Sequence, residues 1–262
     1  MKSLRVGCVK YLNARPLIRG WQGYLEFDHP SALCHRLAEG QLDVALVSSF
    51  EFLRNPIYRI VDDVSISSDG PVYSVVIAHR GEFSDIEEIE LDPASETAAN
   101  LLRCLLAELG LSPRVTSRTP ESAGSPRARL IIGDQAITFR HKHAREFRFW
   151  DLGEQWKKLT GLPFVYALWL IRPEVPDATS LAQCLRELRD ENRADIRGIV
   201  ADAVADAADK KQEITHEFLD RYYNEHLGFG FGTREKEGLR TFADLCSRHR
   251  VLPERAREFS LV

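Results

Sequence analysis

Long apolar runs are missing from this sequence. Nothing in its 262 residues approaches the roughly 18 consecutive apolar residues that a membrane-spanning helix needs. The first apolar stretch, residues 6–9, stops at Lys10 and is too brief for the core of a secretion signal, so a cytoplasmic location is expected. An excess of basic charge is missing too. With 35 Lys and Arg against 39 Asp and Glu, the formal net charge is −4, and no long-range field draws the chain to nucleic acid or to an anionic membrane. The five cysteines (Cys8, Cys34, Cys104, Cys184, Cys246) form no Cys-x-x-Cys pair, which argues against a redox motif or a zinc ribbon. Their odd number, wide spacing and apolar neighbours suggest buried free thiols in a reducing compartment.

Catalytic signatures are scarce as well. The sequence contains no Gly-x-Ser-x-Gly, His-Glu-x-x-His or Walker pattern. His141 and His143 form a His-x-His pair without a third ligand nearby, and among Arg140, Lys142 and Arg145 they read as a solvated basic face, so no metal is expected. Gly228, Gly230 and Gly232 imitate a phosphate-binding loop but precede no strand-borne pattern, which favours a helix-to-helix connection. No low-complexity tract is present, and 44% hydrophobic content with 16 Gly and 12 Pro is that of a globular chain. The length suffices for one large core or two modest ones.

What is present alternates. Short apolar, β-branched runs at residues 4–9, 24–27, 44–47 and 58–66 are separated by helical patterns at 30–39 and 49–53, which is the order of a sheet covered by helices on both faces. A further strand is expected at 72–78. The βα pattern then restarts, with a strand at 89–91, a Leu-rich helix at 96–109 stopped by Gly110, a loop at 118–129, a strand at 130–132 and a helix ending at 156–159. A long apolar run, 164–171, precedes an almost wholly helical tail from residue 180. The expected layout is an α/β fold of two lobes, residues 1–79 plus 170–262 and residues 80–169, joined by strands near 72–78 and 164–171 around a ligand cleft.

Ligands of such sheets sit at the carboxyl ends of strands, and polar clusters fall there. Lys10-Tyr11-Leu12-Asn13-Ala14-Arg15-Pro16 follows the first strand, where Asn13 also suits a helix cap and Pro16 a first turn. Ser48-Ser49 follows the third strand and has the same two readings. Ser67-Ser68-Asp69-Gly70-Pro71-Val72-Tyr73-Ser74 holds a turn, but turn chemistry does not call for three serines. Asp92-Pro93-Ala94-Ser95-Glu96-Thr97 opens the Leu-rich helix, where free backbone N–H groups and hydroxyls make a site for a carboxylate. Gly133-Asp134 is a weaker fifth case.

Five segments together resemble the menaquinone-biosynthesis chorismate dehydratases of the futalosine pathway. They are residues 10–17 (KYLNARPL), 67–75 (SSDGPVYSV), 91–97 (LDPASET), 131–136 (IIGDQA) and 151–165 (DLGEQWKKLTGLPFV). Their order and spacing match over residues 4–172; the helical tail is less diagnostic. The resemblance implies a type II periplasmic-binding-protein-like fold used by a cytoplasmic enzyme, a lyase that removes water from chorismate to give 3-[(1-carboxyvinyl)oxy]benzoate; because no metal-ligand spacing and no nucleotide loop is found and the elimination needs no redox step, no cofactor is expected. It leaves monomer and homodimer open. Lys10 stands where many members have Ser, and its cation suits a dianionic substrate.

Such a reaction removes the C3 proton and the C4 hydroxyl while two carboxylates are held and bulk water is kept out. The matched segments contain no histidine or cysteine, and several of their carboxylates read as caps or turn formers. The substrate's own enolpyruvyl carboxylate is therefore the favoured base. Asn13 would orient the reacting groups, and Ser68 and Ser74 complete the expected catalytic set, Ser74 as a hydrogen-bond donor to the leaving oxygen. The expected binding set is Lys10, Arg15, Ser48, Ser67, Gly70, Ser95, Thr97, Gly133, Asp134 and Phe164. Two rival readings stand beside this one: a non-catalytic binder of small carboxylates on the same fold, and the later futalosine-pathway synthase, which would carry a different N-terminal motif and a catalytic histidine.

Overall fold

The computed structural model describes residues 4–92, 96–117, 128–209, 214–254 and 258–262. The first part of the chain alternates β1 (Val6–Cys8), α1 (Arg15–Ile18), β2 (Leu25–Phe27), α2 (Pro30–Ala38), β3 (Val44–Ser48), α3 (Ser49–Arg54) and β4 (Arg59–Ser68). The middle part supplies β5 (Val75–His79), β6 (Glu88–Leu91), α4 (Glu96–Glu108), β7 (Arg114–Ser117), β8 (Ala128–Ile132), α5 (Gly133–His143), β9 (Arg148–Asp151) and α6 (Leu152–Thr160). Then come β10 (Phe164–Ile171) and the helices α7 (Ala178–Ala194), α8 (Ile196–Asp209), α9 (His216–Arg221) and α10 (Thr233–Arg248).

The strands form two mixed five-stranded sheets, β2-β1-β3-β10-β4 and β7-β6-β8-β5-β9. β1 runs parallel to β2 and β3, and β10 antiparallel to β3 and β4, with Ala167 opposite Ser48. The second sheet repeats the plan: β6 is parallel to β7 and β8, and β5 antiparallel to β8 and β9. β10 sits inside its sheet because its sequence, FVYALWLI, is apolar along almost its whole length, and strands covered on both faces need such a run. On β5 the two-residue period sorts side chains between cores. Val75 and Ile77 join the main core, whereas Val76 and Ala78 pack with Ile131 and Ala136 on the other face.

Strand pairing places both expected connecting strands differently. Val75–His79 belongs wholly to the second sheet and Phe164–Ile171 wholly to the first, so the chain passes between sheets at residues 69–74 and 161–163, not at 79 and 170. The cause is local. β4 ends at Ser68, and Gly70 (φ 141°) with Pro71 breaks the extended run before β5 begins. Asp151 ties this passage to the start of α6: its carboxylate accepts from Val72 and Tyr73 N–H at 3.0 and 2.8 Å, and caps α6 through Gly153 and Glu154 N–H. Tyr73 is held there with φ 67°, the left-handed region.

The helical tail serves both sheets. α7 packs on α1 and β4, while α10 lies against β10 and reaches α4. Phe242 of α10 meets the rings of Trp156 and Phe164 at 6.1 and 5.0 Å, and His249 just beyond α10 pairs with Glu108 of α4 at 2.7 Å. Gly228 pairs with Ser67 as an antiparallel bridge, so the Gly-rich segment edges β4 on its way to α10. Four cysteines are buried, but Cys184 is exposed on α7, against the expectation for all five. Among the described residues no helix is long and apolar enough to cross a membrane.

Candidate active site

Two polar residues that could have been caps are not. After β1 the chain bends at Tyr11 into a 3₁₀ turn, Leu12–Ala14, and then α1, and neither end is capped by a side chain. Asn13 Oδ1 is buried with no hydrogen-bond partner among the described residues. Ser48 precedes α3 without bonding its first turn; its Oγ meets Thr97 Oγ1 of α4 instead, and Thr97 Oγ1 accepts from Phe50 N–H at 3.4 Å. An orphaned buried amide oxygen is costly unless a ligand satisfies it.

Asn13 and Ser48 look into a cavity walled by both sheets. Val9, Leu46, Val47, Ile66 and Ala167 supply one apolar side, and Val72, Val75, Ala98 and Ile132 the other. The polar groups on the wall are Tyr11, Asn13, Ser48, Ser74, Thr97 and Tyr166, with Gly133 at the start of α5. The described lining includes no carboxylate, histidine, lysine, arginine or cysteine. Burial pushes the Tyr11 phenol above its ordinary value, with Asp92 and Asp134 adding to the effect, and burial pushes Tyr166 well above it. Both phenols therefore stay protonated at neutral pH.

Gly133 is required by geometry. Its φ is 60°, a Cβ would sit 3.3 Å from the Tyr11 ring, and its N–H donates to Ser74 O at 2.8 Å. Helix α5 starts here without a side-chain cap, which leaves its N-terminal end for an anion.

The structure thus brings together Asn13, Ser48, Ser74, Thr97 and Gly133 from the expected set. It places Lys10, Arg15 and Asp134 on a neighbouring hollow that shares Val9 and Tyr11 with the cavity. Arg15 pairs with Asp206, and Asp134 accepts from Leu12 N–H at 3.0 Å. Lys10 is exposed, its Nζ 5.9 Å from the Phe27 ring centroid. Four of the expected residues lie behind the wall or in the core. Ser67 points away from the cavity because it alternates with Ile66, and its Oγ donates to Gly228 O. Ser68 Oγ donates to Gly70 O at 3.0 Å and bonds Tyr166 Oη, so both Ser68 and Gly70 support Tyr166. Phe164 is a core residue, 1% exposed and packed on Trp156 and Phe242. Ser95 lies outside the described residues. Among the described residues no group of three His, Cys, Asp or Glu could hold a metal, and His141 instead packs edge-on against Phe218.

Sequence reasoning passed over Tyr11, which sits inside a quoted segment, and Tyr166, the polar member of an apolar strand. It had no means of finding Tyr222, whose hydroxyl reaches Ser74 from a helix 148 positions away.

Comparison with known proteins places this geometry. The periplasmic aliphatic sulphonate binding protein SsuA from Escherichia coli superposes with a TM-score of 0.67 at 15% identity, covering 97% of this chain and 94% of that one. The fold is therefore that of the periplasmic binding proteins, two α/β units with the cavity between their sheets. Residues 4–248 match the family described as menaquinone biosynthesis, and the chain belongs to that family. A chorismate dehydratase of Thermus thermophilus is 30% identical over 264 residues, 93% of this chain and 95% of the relative. Another, from Campylobacter jejuni, is 24% identical over 238 residues, 90% of each.

Proposed function

We propose that this chain is a chorismate dehydratase, a carbon–oxygen lyase that converts chorismate to 3-[(1-carboxyvinyl)oxy]benzoate in the cytoplasm. The observation that carries the reading, beside the family, is the cavity wall: an unpartnered amide oxygen, five hydroxyls and a helix N-terminus, with no carboxylate or histidine among its described residues. A wall of this kind holds and orients an anion but does not itself take a proton at neutral pH. The substrate brings the base.

In this account the enolpyruvyl carboxylate, held beside C3, accepts the C3 proton. The C–H electron pair enters the ring, the C4–O bond breaks, and the departing hydroxide takes that same proton from the enolpyruvyl carboxylic acid and leaves as water, which regenerates the carboxylate and balances the elimination. Aromatisation supplies the driving force. Asn13 orients the reacting groups, and Ser74 donates a hydrogen bond to the oxygen leaving C4, where preorganised donors act most strongly. The carboxylates are held by the Ser48–Thr97 hydroxyl pair and the start of α5, with Lys10 and Arg15 contributing positive charge from the neighbouring hollow. The apolar walls exclude water from the reacting centre. No histidine lies on the described lining, which disfavours the later pathway synthase.

Incubating the purified chain with chorismate tests the proposal. The diene absorbance should disappear and a product lighter by one water should accumulate. Chorismate that binds and is recovered unchanged would instead support a non-catalytic carboxylate binder.

A further inference from the structure

Tyr222 and Tyr223 open a π-helical turn, Tyr222–His226, directly after α9, and three of its side chains reach the site. Tyr222 Oη donates to Ser74 Oγ at 2.8 Å, Tyr223 Oη donates to Leu12 O at 2.9 Å, and His226 Nδ1 lies 2.9 Å from Pro71 O. Turns of this kind concentrate at functional sites. Both tyrosines are buried, and burial pushes both phenols well above their ordinary value, so each remains a donor.

A serine hydroxyl has one proton to give. Ser74 Oγ already receives the proton of Tyr222, so its own O–H must point elsewhere. Among the described residues its acceptor is Val72 O at 3.5 Å, too long to hold it firmly. The direction that remains is the cavity, which Ser74 lines.

We propose that Tyr222 is a positioning residue that, by donating to Ser74 Oγ, aims the serine hydroxyl as a donor into the cavity, toward the oxygen that leaves C4. The inference rests on the dehydratase reading and deepens it: the helical tail completes a site whose other residues come from the first 170 positions. Tyr222→Phe removes a single oxygen and keeps the ring's packing against Phe218.

The test is a double-mutant cycle in steady-state chorismate turnover, using wild type, Tyr222→Phe, Ser74→Ala and the double variant. Tyr222→Phe should lower kcat about tenfold with KM within about twofold, and Ser74→Ala should lower kcat about a hundredfold, the scale of one lost donor to developing charge. In the Ser74→Ala background Tyr222→Phe should change nothing further, because it acts only through that hydroxyl. The Ser74→Ala arm keeps the cycle readable if Tyr222→Phe costs some stability, since a purely structural effect would persist there. A Tyr222→Phe enzyme with wild-type kcat, or an effect that multiplies with Ser74→Ala, overturns the assignment and leaves the dehydratase reading intact. Wild-type protein that does not consume chorismate overturns both.

Discussion

The Asn13 amide oxygen is buried without a hydrogen-bond partner among the described residues, so replacing Asn13 removes no hydrogen bond described there. Asn13→Ala should therefore leave the melting temperature within about 2 °C, less than 1 kcal/mol for a chain of this size, while lowering kcat about a hundredfold if it orients the reacting groups. Steady-state kinetics beside a thermal melt decides. A large loss of stability with normal kinetics would return Asn13 to a structural role. The clustering of hydroxyls and an amide at strand ends was legible in the sequence, because strand ends are where an open α/β sheet presents polar groups. Which face each residue takes was not. Ser67 stands next to Ile66 in sequence yet points behind the wall, because side chains alternate along a strand, whereas Ser68 is turned to Gly70 and Tyr166 and Phe164 into the core by contacts that composition does not reveal.

At the scale of elements, apolar content decided what could be read in advance. β10 was legible to the residue at Phe164–Ile171, since eight nearly all-apolar positions admit little else. The edge strands β7 (RVTS) and β9 (RFWD) were not, because an edge strand buries little and needs no continuous apolar run. In sequence α5 reads as a solvated basic face because it buries only Gly133, Ala136 and Ile137, too narrow a stripe to show periodicity. One contact between elements makes a pH-dependent prediction. His249 bonds Glu108 at 2.7 Å and Arg248 does so at 3.1 Å; the His249 hydrogen bond chiefly, and then Arg248, hold the Glu108 carboxyl below its ordinary range. A depressed folded-state pKa means the ionised form stabilises the fold: the contribution is present above the ordinary glutamate range and fades as pH falls through the folded value. Glu108→Gln should lower the melting temperature by about 1–2 °C at pH 7, the size of one partly exposed pair. The gap from wild type should close by about pH 3, below the ordinary glutamate value. A gap unchanged between the two pH values would show that the ion pair contributes nothing.

For the whole molecule, the two sheets meet through a few specific contacts: Leu12 N–H to Asp134, Ser48 to Thr97, and Arg54 to Glu96 at 2.8 Å. The cavity lies among them. That two α/β units flank a cleft was legible from the restart of the βα pattern, but the crossing points were not, because the break at Gly70-Pro71 resets strand membership without changing composition. The division of chemistry between protein and substrate follows from a described cavity lining without a carboxylate or a histidine. It is decided by offering the enzyme chorismate and, in parallel, the chorismate analogue whose enolpyruvyl carboxylate is converted to the amide. The account predicts that chorismate loses water to give the aromatic product, whereas the amide binds, protects the protein against thermal unfolding and is recovered unchanged. Dehydration of the amide at a rate comparable to chorismate would place the base on the protein and contradict the account.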